Sequence, residues 1–573
     1  MIRLIMLRTR LLENSTRRFR AWLQRSSSRT PAVAALIAFL VLALFGTYWL
    51  RGQLLLFFDI LFIAAPFEDI FARSQRMGEI PTWIPEMQSG YPILGAPHMN
   101  FFYPLHAVLR QFLPGVLVIN LSLALHVFLA GLGMWLFLRR ERLPCRGAIT
   151  GALLYALGVH MTGRFGLVNI IFPLAWIPFI LWSLHRLWHQ PSAARVAAVA
   201  LFAALHALAG SPQMTIIGAG LIAAYVASLI LTTKHRAGER SRRLGIVGLA
   251  LLSTVGLLGV QLVPVLANLQ ATDRESPLTR SELLEFGYPP WQPLTWVFPD
   301  AYGHLQDYFG AKNEPELAFS FGVAGSLAVA SGLALLRHAP RRLALFSALL
   351  LVYGIALAPG EHSPIYRWLV DQGAISRFAQ PARFLAALHF GGAVLAAHAI
   401  AVLPTFSIRR RSAIVLISLL LAAGVLVLVV RTLPDVIAER TWSAIAHSPW
   451  RFLSPTALIL TLSVVLWPGP WRPRRTAITI CIMATELLIV GWWYNPSEPA
   501  PAVLQRPWVL QYLGGVAPQP RLYTKMELAV TPPPDYNPIL WRRPPGLRRI
   551  RQTFKAQQDG LDSVSLLLTW GGK

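Results

Sequence analysis

Cysteine is nearly absent from this sequence, with Cys145 and Cys481 the only two among 573 residues. Both sit near the expected cytoplasmic ends of apolar runs, which excludes a disulfide framework and any C-x-x-C metal or redox site. Charge is also scarce: 14% of residues are charged, against about 25% in soluble domains. Lysine is scarcer still, at five of the 52 basic residues, so arginine carries the positive charge; a GC-rich coding genome accounts for that more simply than phosphate recognition. No G-x-x-x-x-G-K-S/T, H-E-x-x-H or G-x-S-x-G motif occurs, and no intracellular nucleotide-binding domain is evident, which disfavours an ATP-driven pump.

What is present instead is apolar length. Hydrophobic residues make up 55% of the chain and mean hydropathy is +0.50, the composition of a polytopic membrane protein. A bilayer core needs about 20 apolar residues per helix. Such runs fall near 31–50, 116–138, 146–161, 167–185, 194–210, 213–232, 244–266, 317–336, 342–358, 385–404, 412–430, 454–468 and 474–493. The expected fold is therefore all-α with about thirteen transmembrane helices. The basic segment Arg8 to Arg29 leads into the first run without a convincing cleavage site, so that run is expected to be a span rather than a removed signal.

The net charge of +26 orients the chain rather than pointing to nucleic acid, because the arginines gather in every second loop. Basic loops follow the runs at Arg139–Arg146, Arg186–Arg195, Lys234–Arg243, Arg337–Arg342, Arg409–Arg411 and Arg472–Arg475. The expected layout is a cytoplasmic basic N-terminus (1–30), a transmembrane domain (31–493) and a short extracytoplasmic C-terminal region (494–573). Outer loops are expected at 51–115, 267–316, 359–384 and 431–453, in a multi-pass protein of a bacterial inner membrane.

The loop after the first run is the most polar part of the chain. Asp59, Glu68, Asp69, Glu79 and Glu86 alternate there with Pro66, Pro81, Trp83, Pro85, Gly90, Tyr91 and Pro92. Pro66 to Met77 reads as an amphipathic interfacial helix, with Phe67, Ile70, Phe71 and Ser74 on one face and Glu68, Asp69, Arg73 and Arg76 on the other. Gly78 suits its C-cap, and Trp83 and Tyr91 suit a headgroup layer.

Asp59 emerges from the apolar stretch Leu54–Phe58, where partial desolvation would raise its pKa and fit it for general-base work. On position alone, marking the membrane boundary or capping the next turn is the preferred reading. Glu68 and Asp69 are adjacent, about 100° apart on a helix, and read as a solvated face before a catalytic dyad. Arg377 and Arg383 in "SRFAQPARF" are placed to grip a lipid phosphate, or to snorkel to the headgroups. Arg280 and Ser276 are candidate sugar or phosphate contacts in what otherwise reads as a solvated loop. Glu486, deep in the last run, requires pairing or neutralisation. His206 and His389 have no partner histidine at i+3 or i+4 and read as core residues before metal ligands.

The order Asp59, Pro66, Gly78, then "IPTWIP", "SGYPILGAP" and "FFYP", resembles the opening of the bacterial YfhO-type membrane proteins, within the GT-C-like group of multispanning glycosyltransferases. "LAWIPFILWSLHRL" at 174–187, "GSPQM" at 210–214, "PDAYG" at 299–303 and "RFAQPARF" at 377–384 continue the resemblance over about 40–400. It implies inverting transfer of a sugar from a polyprenyl-phosphate donor to a lipid or cell-envelope glycan acceptor on the extracytoplasmic face, with membrane lipids as partners. Asp59 would be the base, Glu68 or Asp69 would orient the sugar, and Arg377 and Arg383 would hold the phosphate. Trp83, Tyr91, His98 and Arg280 would be further substrate contacts. Two departures stand out: Ser211 replaces a histidine common in that turn, and the loop near Arg164 has no carboxylate. No cofactor is implied with certainty, and the residues do not support a divalent metal. The alternatives are a non-catalytic protein of the same fold that binds or moves a lipid-linked glycan, and an ion-coupled transporter, for which Glu486 is thin support.

Overall fold

The structure, a computed structural model, describes residues 29–55, 59–84, 92–96, 100–269, 278–304, 307–467, 473–500, 549–554 and 564–569. Helices dominate. The first group comprises α1 (Thr30–Leu50), α2 (Ala65–Arg76), α3 (Pro104–Leu109), α4 (Gly115–Arg140), α5 (Cys145–Leu157), α6 (Val168–His189), α7 (Ala193–Leu208), α8 (Pro212–Thr232) and α9 (Ala237–Leu269). The second comprises α10 (Gly322–Ala334), α11 (Arg341–Leu357), α12 (Leu385–Val402), α13 (Ile408–Thr432), α14 (Asp435–His447), α15 (Trp450–Leu466) and α16 (Pro473–Tyr494). Two short strands, β1 (Gln53–Leu55) and β2 (Ser497–Pro499), pair antiparallel with Leu54 opposite Glu498, tying the loop after α1 to the end of α16. A second antiparallel pair joins Arg549–Phe554 to Val564–Thr569.

Eight helices among the described residues are long and apolar enough to cross a membrane: α1, α4, α6, α8, α9, α12 with its flanking turns, α13 and α16. A ninth arises if α14 and α15, bent by 68°, count as one span. The chain is thus a multi-pass membrane protein, but the expected thirteen full spans are not seen. The remaining apolar runs give helices of 13 (α5), 16 (α7), 13 (α10), 17 (α11) and 17 (α15) residues. Thirteen helical residues rise only about 20 Å, short of a hydrocarbon core of about 30 Å. The 13-residue helices α5 and α10 fall short of a full span, whereas the 17-residue α11 and α15 lie at its lower limit, so apolar composition alone did not fix the number of full spans.

The core lies where α4, α5, α6 and α12 meet. In α6 and α12, 89% of the apolar window is buried, against 17% in α9 and 22% in α13. The outer pair instead exposes Leu252, Val263, Leu420 and Val427, as lipid-facing helices do. Two prolines inside α6 show how the core closes. Pro178 has no N–H, which leaves the Leu174 carbonyl free, and the Tyr155 hydroxyl donates to it at 2.8 Å. His206 reaches the Pro173 carbonyl through Nδ1 at 2.8 Å, and His389 Nε2 lies 2.9 Å from the Tyr155 carbonyl, so both histidines bind backbone inside the core.

Glu486 in α16 accepts backbone N–H groups from Val323 and Ala324 at the start of α10. This carboxylate at a helix N-terminus supplies the pairing its depth requires. Gly322, at φ +69°, lies so close that a Cβ there would meet the Glu486 carboxyl carbon at 2.6 Å. The helix α2 forms where its pattern places it, and Gly78 ends it at φ +72°. The expectation of a simple interfacial helix with Glu68 on its wet face is corrected. Phe67 and Phe71 pack with Ile84, Ile93 and Ala96, but Glu68 is buried too, at 3% exposure, because partners from α3 and the turn after it reach it.

Candidate functional site

The site is assembled from loops at one end of the bundle. Asp59 leads into a π-helical stretch, Ile60–Ala64, that runs directly into α2, and its side chain makes no capping hydrogen bond. It lines a crevice of about 470 Å³, open mouth included, together with Ala64, Phe67, Glu68, Asn100 and Asn169. Burial pushes the Asp59 carboxyl above its usual range, the nearby Glu316 carboxylate pushes it further the same way, and the Arg383 guanidinium opposes both.

Glu316 and Arg383 come from two separate turns 67 residues apart in the chain. Glu316 sits in the short turn Glu314–Leu317, reached through left-handed Asn313. Arg383 sits in the 3-10 turn Pro381–Phe384, reached through left-handed Gln380. Arg383 donates to Glu316 Oε1 from Nη2 at 2.5 Å and from Nε at 3.0 Å, and to Gln213 Oε1 from Nη1 at 3.2 Å. Gln213, in the first turn of α8, donates to the Gln380 carbonyl at 3.0 Å and so fixes the turn that presents Arg383. A second guanidinium approaches from below. Arg164, fully buried, bonds the backbone carbonyls of Glu316 and Ala318 and lies 3.7 Å from Glu316 Oε2. Burial lowers its pKa to about 10, with Glu316 opposing that effect.

On the other wall, Glu68 is held by His106 Nδ1 at 2.7 Å and Arg110 Nε at 3.2 Å. Arg110 donates to the Asn100 carbonyl at 3.2 Å and stacks over Phe71 at 5.2 Å. Beneath lies a closed polar chain in which Trp176 donates to the Tyr103 hydroxyl, and that hydroxyl lies 2.6 Å from His126 Nε2. Glu68 is therefore a fixed carboxylate with one edge at the crevice, not a solvated one.

Of the expected residues, Asp59 and Glu68 line the crevice, and Arg383 lies within electrostatic range of Asp59 without lining it. Asp69 is exposed and accepts the Gly115 N–H at 2.7 Å, and Trp83 is exposed as well. Arg280 is ion-paired to Asp371 at 2.7 Å on the surface, and Arg377 is exposed; neither lines the crevice. Tyr91 and His98 lie outside the described residues. Missed were Glu316, Arg164, Gln213, His106 and Arg110. A lone arginine between two apolar runs, as Arg164 is, demands a buried acid from elsewhere, and that signal was available. Among the described residues no three His, Cys, Asp or Glu side chains group as metal ligands. Glu316 already faces two guanidiniums, a poor setting for a divalent cation, which prefers several unshared oxygens.

No known protein family matches the sequence, and no curated protein matches it. Solved structures with a similar arrangement include arabinofuranosyltransferase AftD from Mycobacteria, at 14% identity and TM-score 0.41 over 65% of this chain and 25% of that one. They also include ArnT from Cupriavidus metallidurans bound to undecaprenyl phosphate, at 16% identity and TM-score 0.44 over 81% of this chain and 76% of that one. The apo state of the same ArnT gives 15% identity and TM-score 0.43 over 82% and 77%. The chain spans about a quarter of the length of AftD, and likeness at this level transfers no residue roles.

Proposed function

We propose that this chain is an inverting membrane glycosyltransferase, moving a sugar from a polyprenyl-phosphate donor to a hydroxyl of a lipid or cell-envelope glycan on the extracytoplasmic face. The observation that carries the reading is Asp59, half-buried at a crevice and within electrostatic range of both Arg383 and Glu316. In a single displacement the acceptor oxygen bonds to the sugar's anomeric carbon and gives its proton to Asp59. The bond from that carbon to the phosphate oxygen breaks, and the polyprenyl phosphate leaves with the electron pair. A raised proton affinity makes Asp59 a stronger base than a free carboxylate, provided the pH keeps it ionised.

Arg383 is the assigned phosphate clamp, since a guanidinium binds phosphate oxygens bidentately and stabilises charge on the leaving group. Glu68, rather than Asp69, is the assigned sugar-orienting acid, because His106 and Arg110 hold it rigidly at the crevice while Asp69 is committed to the Gly115 amide. The donor's lipid tail would lie along the apolar helices, leaving phosphate and sugar at the loop end. The test is sugar release by the purified protein from a radiolabelled panel of polyprenyl-phosphate sugars, with membrane lipid extract as acceptor. Turnover supports a transferase. Saturable binding without turnover on any donor would instead favour a carrier of lipid-linked glycans.

A further inference from the structure

One edge of the fork that a phosphate would use is already taken. Arg383 spends Nε and Nη2 on one oxygen of Glu316 and one Nη1 hydrogen on Gln213, so its Nε/Nη2 edge is occupied by the protein itself. Carboxylate and phosphate are read by the same bidentate geometry. The hold on Glu316 is lopsided. Oε1 takes two hydrogen bonds, whereas Oε2 and the facing Arg164 Nη1, both buried, have no hydrogen-bond partner and stand 3.7 Å apart. Glu316 can therefore give up Arg383 and still have Arg164 to turn to, since Arg164 is anchored separately by the backbone of Glu316 and Ala318.

We infer that Glu316 is a stand-in for the donor's phosphate. It holds Arg383 in register while the site is empty and yields it to a polyprenyl monophosphate, closing on Arg164 as it does so. Glu316 is a positioning residue in this scheme and touches no reacting atom. The inference rests on the functional reading above, in that it assigns Arg383 to a lipid phosphate. It explains why two arginines serve one carboxylate: one is released to the ligand and the other retains the acid. Glu316 competes with the donor, so removing its charge strengthens binding even though an ion pair is lost.

The test uses full-length protein in nanodiscs, with undecaprenyl phosphate as probe and intrinsic tryptophan fluorescence as readout. Glu316→Gln should bind about tenfold tighter than wild type and Arg383→Gln about tenfold weaker. The double variant should show no gain from Glu316→Gln. Weaker or unchanged binding in Glu316→Gln, with Arg383→Gln still impaired, overturns the stand-in and leaves the transferase reading intact. Absence of saturable binding in wild type, or indifference to Arg383→Gln, overturns the phosphate assignment itself. If Glu316→Gln does not fold, Glu316→Asp serves in its place. Its shorter reach loosens Arg383 while keeping the charge, so it should also bind more tightly than wild type, and weaker or equal binding overturns the inference.

Discussion

The two ends of α4 each hold a buried carboxylate among cations, and they are built differently. The helix is 26 residues long, about 39 Å at 1.5 Å per residue. Beyond its last residue, Glu141 accepts from His185 Nδ1 at 2.8 Å and from the Tyr225 hydroxyl, and Arg342 Nε lies 3.6 Å from its other oxygen. Arg342 Nη1 in turn meets His189 Nε2 at 3.1 Å. These partners belong to α6, α8 and α11, whose positions the bundle sets. At the other end the charges come mostly from loops and short turns, include two carboxylates within electrostatic range of each other, and lie beside a crevice that Asp59 and Glu68 line.

The pKa directions show the consequence. Burial works to raise the Glu141 carboxyl, but His185 and Arg342 outweigh it and hold the group below its ordinary range. At Asp59 burial and Glu316 together outweigh Arg383, and the carboxyl stays above. A carboxylate answered by partners is a lock between helices, whereas one kept short of partners has proton affinity available for chemistry.

Mutation can break this contrast. Asp59→Asn should cut turnover about a thousandfold with little change in the thermal midpoint, since the side chain is half-buried and caps nothing. Glu141→Ala should do the reverse, costing about 1–3 kcal/mol of stability by leaving buried His185 and Tyr225 and partly buried Arg342 without their acceptor, while the surviving folded protein turns over normally. A folded Glu141→Ala protein without activity would remove the distinction. Arg383→Gln should raise the donor KM about tenfold, with a smaller effect on kcat, measured by initial rates over a donor series. Arg280→Ala should leave both thermal midpoint and turnover unchanged, because its partner Asp371 is exposed too and surface pairs contribute little.

Much of the fold was legible in the sequence. Eight apolar runs became long helices, the pattern at Pro66–Met77 became α2, and Gly78 became its left-handed stop. What failed depended on distance along the chain. Glu68 looked solvated because its partner His106 is 38 residues away, and the face of an isolated helix cannot report a partner from the next loop. Arg164 looked unanswered because its acid lies about 150 residues on, in a turn whose approach depends on Asn313 at φ +67°. Charge periodicity registers neighbours on one element, and a site made of four loops has none.

The most direct test of the account is the pH dependence of kcat/KM for wild type, Glu316→Gln and Arg383→Gln. Asp59 must be ionised to take a proton, so the rate should fall as pH drops through its raised pKa, and the acid limb should lie above the usual carboxylate value of about 4. Glu316→Gln removes a negative neighbour and should move the limb to lower pH, whereas Arg383→Gln removes a positive one and should move it higher. Limbs displaced in those opposite directions would establish Asp59 as the base tuned by this pair. A limb at the ordinary position, unmoved by either change, would contradict it.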